Sequence, residues 1–259
     1  MEKITAIILA AGQGTRLRPL TDEIPKCMVE VAGKPMLYHQ LDCLEEAGIE
    51  DIIVVTGYKE EKIVDSRIKR KVFNPDFAYS NMIYSLFCAE EYMSGELLIC
   101  YGDIIYSKNV LQQILNVKHA VTIASDEEWL SYWQQRCEDP LSDAETFKKG
   151  SDNKVSSLGQ KPSSIDDIEG QFIGLIKFSD EGTKLIKQTY NECLNNTKCS
   201  NNAWNSGRDL KNTYMTDLMN YLASNDLLHY HPIDRGWFEV DNFNDLQVAN
   251  NNISQITID

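Results

Sequence analysis

The chain has 259 residues, of which 42% are hydrophobic and 25% are charged, so it can bury the core of a full α/β domain and is too apolar to be disordered or fibrous. Lysine and arginine number 25 against 39 aspartates and glutamates, which gives a formal net charge of −14. This charge repels nucleic acid and anionic membranes and excludes them as favoured partners.

The seven cysteines are scattered and include no Cys-x-x-Cys pair, which predicts free thiols in a reducing compartment and no zinc site. The N-terminus lacks a basic segment followed by a long apolar stretch, and no apolar run approaches the ~20 residues that span a bilayer. We therefore expect a cytoplasmic protein without a membrane partner. Its oligomeric state stays open.

Strand and helix patterns alternate along the chain. The first run, 5–11 (TAIILAA), is continuously apolar, as in a strand covered on both faces. The helix at 36–47 has apolar residues at helical spacing and ends at Gly48. The sequence predicts further strands at 51–57, 71–74, 96–101, 120–124, 172–178 and 236–242, helices at 81–93, 180–195 and 214–224, and a polar helix or loop at 59–68.

This alternation predicts one domain over residues 1–259, a three-layer α/β fold of Rossmann-like type with a mostly parallel sheet. Ligands in such folds bind beyond the carboxyl ends of the strands. Gly12 follows the first predicted strand and Asp103 follows the strand at 96–101. Both residues are therefore expected at the binding edge.

A glycine-rich turn follows the first strand. Gly12 and Gly14 leave backbone N–H groups accessible to an anion, and Arg16, Arg18 and Lys26 add positive charge nearby. The turn is not a P-loop, because no Gly-Lys-Ser/Thr ends it, and it lacks the third glycine of a dinucleotide-binding loop. The pattern predicts a polyphosphate site, although a bare glycine pair also occurs in ordinary tight turns.

Two acidic positions complement this turn. The predicted strand at 96–101 ends at Gly102-Asp103, and Glu239-x-Asp241 ends the last strand. Hard oxygen ligands suit Mg²⁺ held together with water and substrate phosphates. Each acid alone is more often a helix cap or a solvated turn, but beside the glycine-rich turn Asp103 and Asp241 predict a Mg²⁺ site.

The segment 126–170 interrupts the alternation. It is polar yet carries several aromatic residues, including Trp129 and Trp133, and a plain surface loop rarely needs them. We interpret it as a small lid insertion over a second substrate. Trp129, Trp133 and Trp237 could form a cage for a quaternary ammonium, or could simply pack the lid.

The whole string from Leu9 to Lys26 resembles the nucleotidyltransferase family, which joins a nucleoside triphosphate to a phosphorylated sugar or alcohol. The family pattern reads L-A-A-G-x-G-T/S-R-L-x-P-L-T, with P-K a few residues on. The positions that match in order are Gly12, Gly14, Thr15, Arg16, Leu17, Pro19, Leu20, Thr21, Pro25 and Lys26. The resemblance extends over nearly the whole chain.

The resemblance implies roles for individual residues. Arg16 and Lys26 are the implied catalytic cations, on the β/γ- and α-phosphates, and Asp103 and Asp241 hold Mg²⁺. The implied nucleotide-binding residues are Leu9, Ala10, Ala11, Gly12, Gly14, Thr15, Gln40 and Asn81. The candidate acceptor-binding residues are Lys161, Arg136, Trp129 and Trp237. Gln40 could equally be a surface amide, and Lys161 a solvated lysine.

The length, Asn74-Pro75 and the run from Tyr79 to Leu86 (YSNMIYSL) resemble the small CTP-dependent cytidylyltransferases of phosphocholine and phosphoglutamine. The resemblance implies transfer of CMP from CTP to a small phosphorylated acceptor, with release of pyrophosphate, to supply a CDP-linked precursor for surface polysaccharide such as a capsule. The alternatives are a UTP- or dTTP-dependent sugar-1-phosphate nucleotidylyltransferase and a noncatalytic regulatory subunit. A scaffold role explains none of these residues.

Overall fold

A central seven-stranded sheet organises the protein, which we describe from a computed structural model over residues 4–256. The spatial order is β12-β8-β11-β6-β1-β4-β5, and every neighbouring pair is parallel except those made by β11. The strands are β1 (Ile4–Ala10), β2 (Glu30–Val31), β3 (Lys34–Pro35), β4 (Asp51–Thr56), β5 (Arg70–Phe73), β6 (Glu96–Tyr101), β7 (Ile104–Tyr106), β8 (Val121–Asp126), β9 (Phe147–Lys149), β10 (Val155–Leu158), β11 (Gln171–Phe178), β12 (His229–Ile233) and β13 (Trp237–Glu239).

Helices cover both faces of this sheet. They are α1 (Met36–Glu46), α2 (Met82–Cys88), α3 (Lys108–Leu115), α4 (Trp129–Arg136), α5 (Asp180–Leu194), α6 (Thr197–Asn201), α7 (Met215–Ser224) and α8 (Phe243–Asn252). Successive side chains of β1 enter opposite cores: Ala6 and Ile8 pack with α1, α3, α4 and α8, and Ile7 packs with α2, α5 and α7. The predicted three-layer, mostly parallel α/β fold is confirmed.

The carboxyl ends of β1, β4 and β6 meet at one edge of the sheet. Gly102 lets β6 approach β1 there, since a Cβ at this position would lie 2.6 Å from the Leu9 carbonyl oxygen. The short strands β7 and β13 pair antiparallel, and the Val240 N–H donates to the Asp103 carbonyl. This ladder brings the end of β13 beside the end of β6.

The segment 126–170 is more integrated than a lid. Helix α4 buries Trp129, Tyr132 and Trp133 in one core, and the β9–β10 hairpin contributes Phe147 to the other. Its aromatic residues are therefore explained by packing within the fold. The interpretation of this segment as a lid insertion over a second substrate stays a prediction.

The free-thiol prediction is wrong for two of the seven cysteines. Cys193 near the end of α5 and Cys199 in α6 form a disulfide, with their Cα atoms 5.0 Å apart. The chain reverses between these helices, so two cysteines six positions apart meet across the turn. Within residues 4–256, no helix combines the length and apolar composition needed to cross a membrane.

Candidate active site

The Lys26 ammonium lies between two carboxylates at the binding edge. Its Nζ donates to Asp103 Oδ2 at 2.6 Å and also to Asp241 Oδ1. Arg16 donates from a terminal nitrogen to the other Asp241 oxygen at 2.8 Å. The structure thus brings together the two predicted catalytic cations and the two predicted metal ligands, which come from distant parts of the chain.

These groups fix one another's charge. Burial opposes the ammonium form, but Asp103 and Asp241 outweigh it and hold the pKa of Lys26 above its ordinary value. Burial likewise opposes ionisation of Asp241, while Lys26 and then Arg16 lower the pKa of that carboxyl below its usual range. Lys26 and Asp241 are therefore both charged near neutral pH.

Gly14 positions Lys26. Its φ of +66° lies in the left-handed region, and a Cβ there would come 2.9 Å from the Lys26 Cβ. Thr21 completes the turn by donating its hydroxyl hydrogen to the Gly14 carbonyl at 2.7 Å. Gly14 and Thr15 line neither of the cavities described below. Their predicted contact with nucleotide has no support in this geometry, and Gly14 acts by shaping the turn.

The acidic cluster fits a divalent cation. One carboxylate oxygen each from Asp103, Glu239 and Asp241 lies within 4.8 Å of the others, and Asp103 Oδ1 is buried without a hydrogen-bond partner. An all-oxygen ligand set of this kind suits Mg²⁺. Burial raises the pKa of Glu239 to about 8 against the opposing charge of Arg136, and Asp241 and Asp103 add to the rise. Glu239 therefore keeps its proton near neutral pH.

A first cavity of about 180 Å³ opens beside Lys26 and Asp103. Leu9, Ala10, Ala11 and Gly12 form one wall, and a Cβ added at Gly12 would meet no protein atom within 4 Å. The other lining residues are Cys27, Phe77, Ser80, Asn81, Met82, Ser85, Tyr101 and Gly102. Five of the predicted nucleotide-binding residues, Leu9 to Gly12 and Asn81, thus surround one cavity.

A second cavity of about 250 Å³ borders the same cluster. Arg16, Glu239 and Asp241 line it, and Met82 and Tyr101 line both cavities. Its remaining wall consists of Trp133, Asp143, Glu145, Gln171, Phe172, Tyr214 and Thr216. Two ligands bound in these cavities would meet at Lys26, Asp103 and Asp241.

Arg136 supports this site from behind. Its side chain is 2% exposed, lies 2.8 Å from Glu239 and bonds Asp245 at 3.0 Å. Asp245 in turn accepts the backbone N–H of Asp241 at 3.0 Å. The guanidinium pairs with internal acidic side chains and lines neither cavity, so this geometry gives no support to acceptor binding by Arg136, which stays a prediction.

Three other predicted ligand residues are also placed elsewhere. Trp237 and Trp129 are 1% and 4% exposed, and the Trp237 indole donates to Asp126, so the proposed ammonium cage does not form. Gln40 is fully buried, and its amide donates to the Tyr101 and Ile104 carbonyls on either side of Asp103. Gln40 therefore stabilises the turn that carries Asp103 and does not line the first cavity.

Lys161 is exposed and donates to the carbonyls of Leu141 and Ser142, without lining the second cavity. Several polar residues that do line it, Glu145 and Gln171 among them, were missed by sequence reasoning. Gln171 begins β11, whose antiparallel direction brings its first residue to the binding edge. A strand pattern carries no signal of direction, so the sequence could not indicate these residues.

Comparison with known proteins adds an independent line of evidence. The model of the family described as "Nucleotidyl transferase" matches residues 5–128. The chain is 34% identical over 256 residues to the CTP:phosphoglutamine cytidylyltransferase of Campylobacter jejuni, covering 95% of this chain and 98% of that protein. It is 41% identical over 113 residues to the choline-phosphate cytidylyltransferase of Streptococcus pneumoniae, covering 42% of this chain and 49% of that protein.

The fold has close matches among solved structures. A CTP:phosphocholine cytidylyltransferase from Streptococcus pneumoniae superimposes with a TM-score of 0.74 at 24% identity, covering 97% of this chain and 99% of that one. An inositol-1-phosphate CTP transferase from T. maritima gives a TM-score of 0.71 at 17% identity, with coverage of 98% and 96%. At these identities the likeness concerns the fold alone.

Proposed function

This chain belongs to the nucleotidyl transferase family, and on that premise we propose that it transfers CMP from CTP to a small phosphorylated acceptor with release of pyrophosphate. The observation that carries the proposal is the position of Lys26, Asp103 and Asp241 where two cavities meet. A reaction between two bound phosphates needs charged groups at such a junction. The choice of CTP rests on the relative that aligns over nearly its full length, whose name gives CTP as its substrate.

In this reaction a phosphate oxygen of the acceptor attacks the α-phosphorus of CTP in line. A bond forms between them while the bond from the α-phosphorus to the bridging oxygen breaks, and pyrophosphate leaves. The attacking phosphate is already an anion near neutral pH, so the site needs no strong general base. Catalysis depends on positioning and on neutralising charge.

The chain supplies both. The backbone of Ala11 and Gly12 leaves room for phosphates close to the first strand, and Lys26, held charged by its neighbours, offsets the negative charge at the α-phosphate. Arg16 is 61% exposed and can turn from Asp241 toward the β- and γ-phosphates. Mg²⁺ held by Asp103 and Asp241 would neutralise further phosphate charge.

The acceptor is proposed to occupy the second cavity. Phosphocholine and phosphoglutamine, the acceptors named for the two relatives, are the first candidates. A role for the CDP-linked product in surface polysaccharide stays a prediction.

The test is pyrophosphate release with Mg²⁺, each of the four ribonucleoside triphosphates and dTTP, and phosphocholine, phosphoglutamine, aminoethylphosphonate and hexose 1-phosphates. We expect release with CTP and one small phosphorylated acceptor. Release only with UTP or dTTP and a sugar phosphate would replace the proposal by the sugar-phosphate alternative. No pyrophosphate release with any combination would favour the alternative of a noncatalytic regulatory subunit.

Two variants make the assay specific to the site. Asp103→Asn should abolish release, because it removes a carboxylate that pairs with Lys26. Asp42→Asn is the matched control, since Asp42 also pairs with cations, Lys34 and Arg67, but lines neither cavity. Normal Mg²⁺-dependent turnover by Asp103→Asn would remove Asp103 from the proposed mechanism.

A further inference from the structure

Asn74 is a fully buried amide directly behind the first cavity. Its Oδ1 accepts the backbone N–H of Asp76 at 2.9 Å, and its Nδ2 donates to the hydroxyl oxygens of Ser80 at 3.0 Å and Ser85 at 2.9 Å. A backbone N–H can only donate, so its partner must be the amide oxygen. This contact fixes the orientation of the amide and leaves both Nδ2 hydrogens for the two serines.

The network determines how the serine hydroxyls are used. Each hydroxyl has one hydrogen to donate and two lone pairs, and Asn74 occupies one of the lone pairs. Among the residues that the structure describes, neither hydroxyl hydrogen has an acceptor. Both serines line the first cavity. Each hydroxyl is therefore biased toward donating to whatever the cavity holds.

This part of the cavity suits a base better than phosphate. Lys26 and Asp103 are its charged lining residues, and they lie at the junction with the second cavity. The other lining residues, which include Ser80, Ser85 and Phe77, are uncharged. Gly57 holds Phe77 close to the first strand, because a Cβ there would lie 2.6 Å from the Phe77 Cβ and 2.8 Å from the Ala11 carbonyl oxygen.

We propose, on the premise that the transferase function above is correct, that Asn74 is a positioning residue for base selection, which keeps Ser80 and Ser85 as hydrogen-bond donors toward the pyrimidine. Cytosine presents two adjacent acceptors, O2 and N3, to such a pair of donors. Uracil carries a hydrogen on N3 and presents a donor at the same place. A serine hydroxyl can accept this N3–H only with its remaining lone pair, and its own hydrogen is then left without an acceptor. One hydrogen bond is therefore unmade with uracil, which disfavours UTP.

The decisive variant is Asn74→Asp. An aspartate of the same shape still accepts the Asp76 N–H, but its second oxygen accepts the serine hydroxyl hydrogens and draws them away from the cavity. We expect the ratio of CTP to UTP affinity to fall about tenfold, the equivalent of one hydrogen bond. The measurement is equilibrium binding of CTP and of UTP to the full chain by titration calorimetry, which needs no acceptor.

Asn220→Asp is the control, at a partly buried position. The Asn220 amide oxygen also accepts a backbone N–H, that of Leu158 at 3.1 Å, and the residue lines neither cavity. The added charge is the same, so the control should retain the wild-type ratio. Unfolding temperature is recorded for each variant, because a merely structural role for Asn74 would lower stability and weaken both nucleotides alike.

A second variant keeps the test decisive if Asn74→Asp does not fold. Replacing both Ser80 and Ser85 by alanine should lower the same ratio, and adding Asn74→Asp to that double variant, where it folds, should change the ratio little. The inference is overturned if the wild type binds CTP and UTP equally, if a folded Asn74→Asp protein retains the wild-type ratio, or if the alanine pair leaves it unchanged. Failure of the transferase proposal is detected separately, by the absence of pyrophosphate release with CTP.

Discussion

Replacing Lys26 by methionine should destabilise the metal-free protein and make its stability depend on Mg²⁺. Lys26 is the cation that separates Asp103 from Asp241 when no metal is present. Methionine keeps much of the apolar stem and removes the charge. Two carboxylates are then left facing each other at the edge of the sheet, with the 61% exposed Arg16 side chain still beside Asp241.

The structure sets the size of this effect. One oxygen from each carboxylate lies within 4.8 Å of the other, and at an effective dielectric constant of about 20 the repulsion is roughly 3 kcal/mol. Glu239 adds little near pH 7, because its pKa of about 8 keeps it protonated. For a chain of this length the unfolding temperature should fall by roughly 6 to 12 °C.

The assay is thermal unfolding of both proteins in EDTA and in increasing MgCl₂. A divalent ion between the carboxylates replaces the missing ammonium, so Mg²⁺ should stabilise Lys26→Met more than the wild type. Lys34→Met is the control, since Lys34 has one exposed partner, Asp42, and its loss should cost at most about 1 kcal/mol with no recovery in Mg²⁺. A Lys26→Met protein that unfolds at the wild-type temperature in EDTA, or gains no more than the wild type from Mg²⁺, would refute the reasoning.

Three further predictions concern the same region. Gly12→Ala should weaken nucleotide binding with little change in stability, because the added Cβ meets no protein atom within 4 Å. Gly14→Ala should cost about 1 kcal/mol or more in the free energy of unfolding, because its φ is positive and its Cβ would crowd Lys26. Equal losses of stability in the two variants would contradict this prediction. Arg136→Met should lower the free energy of unfolding by about 3–5 kcal/mol, since it leaves the buried Asp245 carboxylate without its ion pair. The control Arg18→Met, in a pair whose side chains are 50% and 54% exposed, should cost at most about 1 kcal/mol in urea titration. Burial raises the pKa of Cys27 to about 12, with a contribution from Asp103. Iodoacetamide at pH 8 should therefore leave the Cys27 thiol of the folded protein unmodified, as measured by mass spectrometry. Rapid labelling of Cys27 would show that the thiol is accessible.

The parts of the fold and site that sequence predicted are those set by local pattern. A buried strand followed by Gly102-Asp103 indicates both an element and the edge of the sheet where its acid must lie. The rest depended on tertiary contacts. Trp129 and Trp237 differ from ligand-binding tryptophans only in what surrounds them, and their burial comes from packing between α4 and β13.

Gln40 illustrates the same limit. A glutamine on a predicted helix is most simply placed at the surface or at a ligand, yet here it donates to two carbonyls beside Asp103. The disulfide of Cys193 and Cys199 depends on a reversal between helices that spacing alone does not indicate. From sequence alone, a polar residue that forms internal hydrogen bonds cannot be distinguished from one that binds a ligand.

Met82 and Tyr101 form the wall that the two cavities share. An occupant of either cavity therefore contacts side chains whose positions also shape the other, and the binding free energies of the two ligands are linked. Such linkage is reciprocal: the factor by which the nucleotide changes the affinity for the acceptor equals the factor by which the acceptor changes the affinity for the nucleotide. Measured one at a time, neither affinity describes the complex in which the reaction takes place.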